Sequence, residues 1–174
     1  MCSSPAPRSP AVHIRPMAPR DIPQVMAVDK ASFAMPWPER AYRFELESNT
    51  LSICLVAEEK PKVVGMIVAW LLVDELHIAT IGVHPDYRRQ GIGARLLAAA
   101  LLTGIRRGAH VSTLEVRVSN LPAQALYRHF GYEIVGRRPR YYKDNNEDAL
   151  LMTASTLDEA FLQAVLGETT LHFS

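Results

Sequence analysis

Cysteine is scarce in this sequence. Of 174 residues only Cys2 and Cys54 carry a thiol, too few for a disulfide framework, and a reducing, cytoplasmic setting is the expectation. Cys54 stands between Ile53 and Leu55 in a strand-like run and reads as a small core residue rather than a reactive thiol. Charge of one sign is lacking too. Nineteen Lys and Arg against 18 Asp and Glu leave a formal net charge of +1, so no overall field draws the chain to nucleic acid or to a membrane. No unbroken apolar run reaches membrane-spanning length. The greasiest stretch, Val63 to Val83, is interrupted by Asp74, Glu75 and His77 and reads as two strands and a turn. Met1 to Pro10 offers Ser, Pro and Arg but no apolar segment, so no secretory signal is expected and residues 1–10 read as a disordered tail. There is no internal repeat. The six histidines are scattered without metal-ligand spacing, so no metal is expected.

What is present has the balance of a globular protein, 48% apolar and 21% charged. A chain of this length forms one domain and buries roughly 70% of its unfolded surface. Residues 11–156 read as that domain, and 157–174 as an extension made of a short helix and a tail. Apolar alternation and turn residues predict strands at Val12–Met17, Leu51–Ala57, Val63–Leu72, Leu76–Val83, Val111–Val118, Tyr132–Gly136 and Ala149–Ala154. Helical spacing predicts helices from Asp21 to Ser32, Glu39 to Ser48, Gly91 to Arg107, Asn120 to Gly131 and Leu157 to Leu166. In the second of these Ala41, Phe44 and Leu46 are expected to face inward. In the third, Leu97, Ala100, Leu101 and Gly104 form the buried face. Pro36 and Pro38 break the chain between the first two helices. This order describes an α/β (α+β) sandwich, a mixed sheet with helices on both faces.

One stretch organises the rest. A strand ends at Ile81-Gly82-Val83, His84-Pro85-Asp86 turns the chain, and Arg88-Arg89-Gln90-Gly91-Ile92-Gly93-Ala94 opens a long aliphatic helix. The first N–H groups of a helix lack partners and carry partial positive charge. Glycines at that point let a ligand approach, and the two arginines add charge, which suits a pyrophosphate. The dinucleotide fingerprint is excluded because Leu96 stands where its third glycine belongs. The P-loop is excluded because no Gly-Lys-Ser/Thr follows.

Arg88-x-x-Gly91-x-Gly93 resembles the acyl-CoA signature of the GNAT family of N-acetyltransferases. Further motifs follow in the family's order: Phe33-x-x-Pro36-Trp37, Leu114-Glu115-Val116-Arg117, Ser119-Asn120-x-x-Ala123-x-x-Leu126-Tyr127, Phe130-Gly131-Tyr132, Arg138-x-x-Tyr141-Tyr142 and Glu147-Asp148-Ala149. Together they look like the RimI-type ribosomal-protein N-terminal acetyltransferases, over about residues 12–155. The resemblance implies the GNAT acyl-CoA N-acyltransferase fold, a mostly antiparallel mixed sheet splayed at the strand ending at Val83. It implies acetyl-CoA as co-substrate and no metal. The backbone of Ile81, Gly82 and Val83 would pair with the pantetheine arm, the Val83 N–H would face the oxyanion, and Arg88, Arg89, Gln90, Gly91, Ile92, Gly93 and Ala94 would hold the pyrophosphate. Asn120 would contact the cofactor arm. Glu115 matches the family's general base and Tyr127 its general acid. Phe33, Trp37, Tyr141 and Tyr142 would flank a peptide N-terminus, in the family that of a ribosomal protein beginning with Ala. A cytoplasmic monomer without direct nucleic-acid binding is expected.

Plainer explanations compete at several positions. Glu115 could be a surface carboxylate paired with Arg117 on the same strand face. Tyr127 lies near helical spacing with Leu126 and Phe130 and could be core. Asn120 is also a good N-cap. Phe33 and Trp37 could anchor a loop in the core. Arg137 to Lys143 interleaves four positive charges with two aromatics, a pattern that can bind RNA but here reads better as a solvated strand end. A lysine side chain or a small amine is the alternative acceptor, and a non-catalytic acyl-CoA or RNA-associated module is opposed by the presence of both Glu115 and Tyr127.

Overall fold

The computed structural model describes residues 11–167. Its strands are His13–Pro16 (β1), Ser52–Glu59 (β2), Lys62–Leu72 (β3), Glu75–Val83 (β4), Val111–Arg117 (β5), Glu133–Arg138 (β6) and Ala149–Ala154 (β7). Its α-helices are Ile22–Ser32 (α1), Glu39–Glu47 (α2), Ile92–Arg106 (α3), Leu121–His129 (α4) and Glu159–Leu166 (α5). The strands form one sheet in the order β1-β2-β3-β4-β5-β7-β6. All neighbours are antiparallel except β4 and β5. Every predicted element is present, with ends displaced by a few residues at most. Tail residues 1–10 and the end of the predicted extension lie outside the described residues.

The two faces of the sheet carry separate apolar cores. On one, Ile53, Leu55, Ile67, Leu76, Leu114, Val116 and Met152 pack with α3, Tyr127 of α4 and Leu162 and Leu166 of α5. On the other, Val56, Met66 and Val68 pack with Val25 and Val28 of α1 and Tyr42 of α2. Being covered on both sides, β3 is buried at every position from Val63 to Ala69, which is why it reads as a continuous apolar run rather than an alternating one. Similarly, α3 is buried from Leu96 to Gly104 and not on one face only, because α5 packs on the side turned away from the sheet.

The expected register of α2 is corrected by the structure. Phe44 is 55% exposed, while Tyr42 and Glu45 are the buried residues. Polar partners decide this. The Tyr42 hydroxyl donates to Asp29 Oδ2, and Glu45 Oε2 accepts from Asn49 Nδ2, Ser52 Oγ and Trp70 Nε1 at 2.6–2.9 Å. A carboxylate so satisfied can be buried, and the helix turns to bury it.

The sheet comes apart at one place. β4 and β5 are paired only from Glu75–Val111 to Ile78–Leu114. Immediately beyond, the register of β4 on β3 passes from Ile78–Ala69 to Thr80–Val68 and leaves Ala79 as a bulge. A bulge bends its strand. β4 follows β3 to the pair Val83–Gly65, and β5 follows β7 to Arg117–Ala149. Each strand keeps its other neighbour, and a wedge opens between them.

Candidate active site

The wedge has backbone on one wall. The His84 N–H donates to Val64 O at 2.8 Å, so in the alternating antiparallel pattern Gly82 also bonds toward β3, whereas the N–H groups of Ile81 and Val83 point the other way, into the opening. Gly82 is glycine for a packing reason. A Cβ there would lie 3.2 Å from Phe33 Cε2, so the Phe33 ring rests on the strand only because no side chain intervenes. Phe33 itself is 37% exposed at the edge of the opening.

Glycine loop and helix start stand at the wide end. Gly91 takes φ +75°, a conformation that L side chains rarely adopt, and a Cβ there would meet nothing within 4 Å. It caps α3 without a side chain, and the first N–H of the helix with a backbone partner of its own is that of Arg95, bonded to Gly91 O at 3.1 Å. The donors of Ile92, Gly93 and Ala94 thus precede the helical hydrogen-bond ladder. The Cβ position of Gly93 lies 3.7 Å from Val83 and 3.8 Å from Leu126, which places the glycine between the strand end and α4. Arg88 donates to Val83 O at 3.3 Å, and Arg88, Arg89 and Gln90 are exposed.

Glu115 lies just past the point where β4 and β5 part. Its carboxylate is 3.2 Å from His77 Nε2, with the two side chains about equally accessible at 20% and 19%. The expected competitor, a pair with Arg117, is absent. Arg117 turns instead to Asp144 at 2.9 Å and Glu147 at 3.3 Å and lies 3.9 Å from the centre of the Tyr142 ring. Glu147, which also accepts from Ser119, is pushed down to about 2 by these hydrogen bonds. This cluster holds Tyr142 where it feels the charges of both Glu115 and Arg117. Burial pushes the Tyr142 phenol up to about 12.

Tyr127 stands on the opposite face of the sheet. Leu114 and Val116, which alternate with Glu115, share its core. Its ring packs on Tyr132 with centroids 5.8 Å apart. Burial first, then the neighbouring Tyr142, raises the Tyr127 phenol well above its ordinary value. The hydroxyl makes no hydrogen bond within the described residues, and no fully buried side-chain oxygen there is left unpaired, so this oxygen is not completely enclosed. Glu115 and Tyr127 thus stand on opposite faces of the sheet.

Of the remaining expected positions, Asn120 is the N-cap of α4, its Oδ1 accepting from Ala123 N at 3.2 Å. Tyr141 is 40% exposed and meets Tyr142 edge-on at 5.1 Å. Trp37 is drawn inward: its backbone N–H donates to Asp29 Oδ2 and its ring stacks on Trp70 at 6.4 Å. Two residues here were not singled out from the sequence. Trp70 and His77 are cross-strand partners whose rings stack at 5.8 Å, joining Trp37 to Glu115. Their common face follows from the strand register alone, which sequence spacing does not reveal. Cys54 is half-buried and its thiol is pushed up to about 11, chiefly by burial, as befits an inert core residue. Among the described residues no group of three or more His, Cys, Asp or Glu is placed to hold a metal.

The sequence model of the acetyltransferase (GNAT) family matches residues 22–132. The chain belongs to the GNAT family. Within it, a Bacillus subtilis protein with the provisional name ribosomal protein bS18-alanine N-acetyltransferase is 38% identical over 139 residues, 80% of this chain and 92% of that one. The Escherichia coli ribosomal protein bS18-alanine N-acetyltransferase is 32% identical over 134 residues, 76% of this chain and 89% of that one. The crystal structure of that E. coli enzyme superposes with a TM-score of 0.76 at 29% identity, covering 86% of this chain and 97% of the other. Arabidopsis thaliana NAA60, solved with acetyl-CoA, shares the GNAT fold at 18% identity with a TM-score of 0.73, covering 82% and 98% of the two chains.

Proposed function

We propose that this GNAT protein transfers the acetyl group of acetyl-CoA to the N-terminal α-amino group of a protein, a ribosomal protein beginning with alanine being the substrate its relatives' names indicate. The carrying observation is the wedge between β4 and β5, with Glu115 on one side and Tyr127 on the other. Loop and helix start from Arg88 to Ala94 would hold the pyrophosphate on N–H groups that have no partner among the described residues and on arginine charge. The inward N–H groups of Ile81 and Val83 would pair with the pantetheine arm. The Val83 N–H would meet the oxygen that becomes negative as the amine adds, and Asn120 would border the arm.

The proton balance sets the roles. The attacking amine must be neutral, and Glu115 accepts its proton. The departing thiolate must be protonated, and the Tyr127 phenol, kept neutral by burial, donates to it. At pH 7, deprotonating an α-ammonium of pKa near 8 costs about 1.4 kcal/mol, whereas a lysine ammonium near 10.4 costs about 4.6 kcal/mol. One partly accessible carboxylate is matched to the first. Phe33 and Tyr142 line the acceptor side, Tyr141 stands at its rim, and Trp37 supports that side from behind. The near-zero net charge favours a protein acceptor over RNA, and within Arg137–Lys143 the Arg137 guanidinium is paired with Asp148 and that of Arg138 lies near the Tyr141 ring.

The test offers acetyl-CoA with peptides beginning Ala, Ser, Met and Gly, an N-blocked lysine peptide and spermidine, and locates the acetyl group by mass spectrometry. Modification of the α-nitrogen, with Ala preferred, is expected. Acetylation confined to lysine or spermidine would overturn the assignment.

A further inference from the structure

The side chains behind Glu115 form a ladder across three strands. Trp70, His77 and Thr113 are consecutive cross-strand partners on β3, β4 and β5. Trp70 is fixed by its Nε1–H···Oε2 bond to Glu45, at 2.9 Å, and covers the His77 ring. On the ring, Nδ1 lies 3.0 Å from Thr113 Oγ1 and Nε2 lies 3.2 Å from Glu115 Oε2. The His77–Thr113 pair is the last but one before β4 and β5 separate, so the ring stands at the apex of the wedge.

We propose that His77 and Thr113 are positioning residues for Glu115. The Thr113 hydroxyl donates to Nδ1, which obliges a neutral ring to carry its proton on Nε2. That Nε2–H donates to Oε2 of Glu115 and occupies one carboxylate oxygen. The other oxygen, Oε1, is then turned to the opening, in the ionised form that accepts a proton from the amine. Trp70 prevents the ring from tipping out of this line. Arg117, the nearby cation on the same strand, is engaged by Asp144 and Glu147, and Tyr142 and Tyr127 are neutral phenols. Asp29 and Glu45 on the helical side are spent on Trp37, Tyr42 and Trp70. Among these groups, His77 is the one placed to orient the carboxylate. This inference rests on Glu115 accepting the proton, whichever amine supplies it.

Two measurements test it. The first needs no substrate: two-bond ¹⁵N–¹H correlation spectra of histidine-labelled protein at about pH 8.5, where an imidazole is neutral, with His77 assigned from its absence in His77→Gln. The wild-type ring should carry its proton on Nε2. Thr113→Val should leave the proton on Nε2, where the carboxylate still accepts it, but move the Nδ1 resonance toward that of a nitrogen without a hydrogen bond, and Thr113→Ser should restore it. A wild-type proton on Nδ1, or an Nδ1 resonance indifferent to Thr113→Val, would overturn the proposal. The second is kinetic, with the acceptor that the acetylation assay identifies. His77→Ala should lower kcat about tenfold with little change in KM, the pattern of a lost transition-state alignment. His77→Gln, whose amide nitrogen can replace Nε2–H, should recover most of the loss. Equal losses in both variants, or none in His77→Ala, would count against it. If only lysine or spermidine is acetylated, the N-terminal assignment fails while both tests of His77 keep their meaning.

Discussion

At the scale of single residues, the proposed chemistry rests on two side chains, Glu115 and Tyr127. Glu115 sits beside the opening with an imidazole for neighbour. Tyr127 is 6% exposed, and its hydroxyl has no hydrogen-bond partner among the described residues. Removing its hydroxyl deletes no hydrogen bond within the described protein, so Tyr127→Phe should unfold at an unchanged denaturant midpoint. It should lower kcat by about 10²-fold, the usual range for loss of a general acid. Turnover near wild type would remove Tyr127 from the mechanism. The sequence pattern singled out both residues with a plainer explanation open for each: the structure packs Tyr127 in the core and removes the Arg117 pair as the explanation of Glu115. Glu115 is not Arg117's partner because the β6–β7 connection delivers Asp144 and Glu147 to that guanidinium, a contact spanning about 30 positions of sequence. Phe33 and Trp37 likewise divide, one at the opening and the other anchored on Trp70, although they stand four positions apart.

At the scale of elements, the glycine loop and the ion cluster at the start of α1 each allow a clean test. The Cβ of a substituted Gly93 would enjoy ordinary van der Waals distances. Gly93→Glu should therefore cost little stability, yet it brings a carboxylate to the proposed pyrophosphate. Calorimetry should show acetyl-CoA affinity reduced by more than about tenfold. Unchanged affinity would refute the loop assignment. Near the other edge, Arg15 of β1 donates to Asp21, the residue before α1, at 2.7 Å and pairs with Glu58 of β2. That guanidinium, with the Ala18 N–H, holds the buried Asp21 carboxyl below its ordinary value. A carboxylate whose folded pKa is depressed adds stability above its unfolded pKa of about 3.9, and loses that stability as pH falls through the folded value. Asp21→Asn should therefore lose about 2 kcal/mol at pH 7. It should also flatten the fall of stability as pH drops below the unfolded carboxylate value, in urea melts read against pH. An acid limb identical to wild type would place the linkage elsewhere. The glycine loop and α1 were legible in the sequence because turn chemistry and apolar runs mark them locally, whereas the Arg15–Asp21–Glu58 cluster was not. α2 was not legible in its register, since Glu45 is buried by partners from β2 and β3 that no helical periodicity contains.

At the scale of the whole molecule, the long helix α3 links the two halves of the fold. It leads from the loop at the wedge, lies under the sheet, and is itself covered by α5, whose Leu162 is 2% exposed. Leu162→Ala should cost about 2–4 kcal/mol by urea denaturation, the range for truncating a buried leucine. It should leave kcat per folded molecule unchanged. A loss below 0.5 kcal/mol would show that α5 contributes little to the core. The strand and helix content, the glycine loop and the family motifs were all determined by the sequence itself, because periodicity, turn residues and short spacings act within a few positions along the chain. The resemblance already implied a splay at the strand ending at Val83; only the tertiary structure decided how far β4 and β5 stay paired and which side chains meet at the opening. The Ala79 bulge, the short β4–β5 pairing and the Trp70–His77–Thr113 ladder depend on strand register, and register is set by packing between segments far apart in sequence.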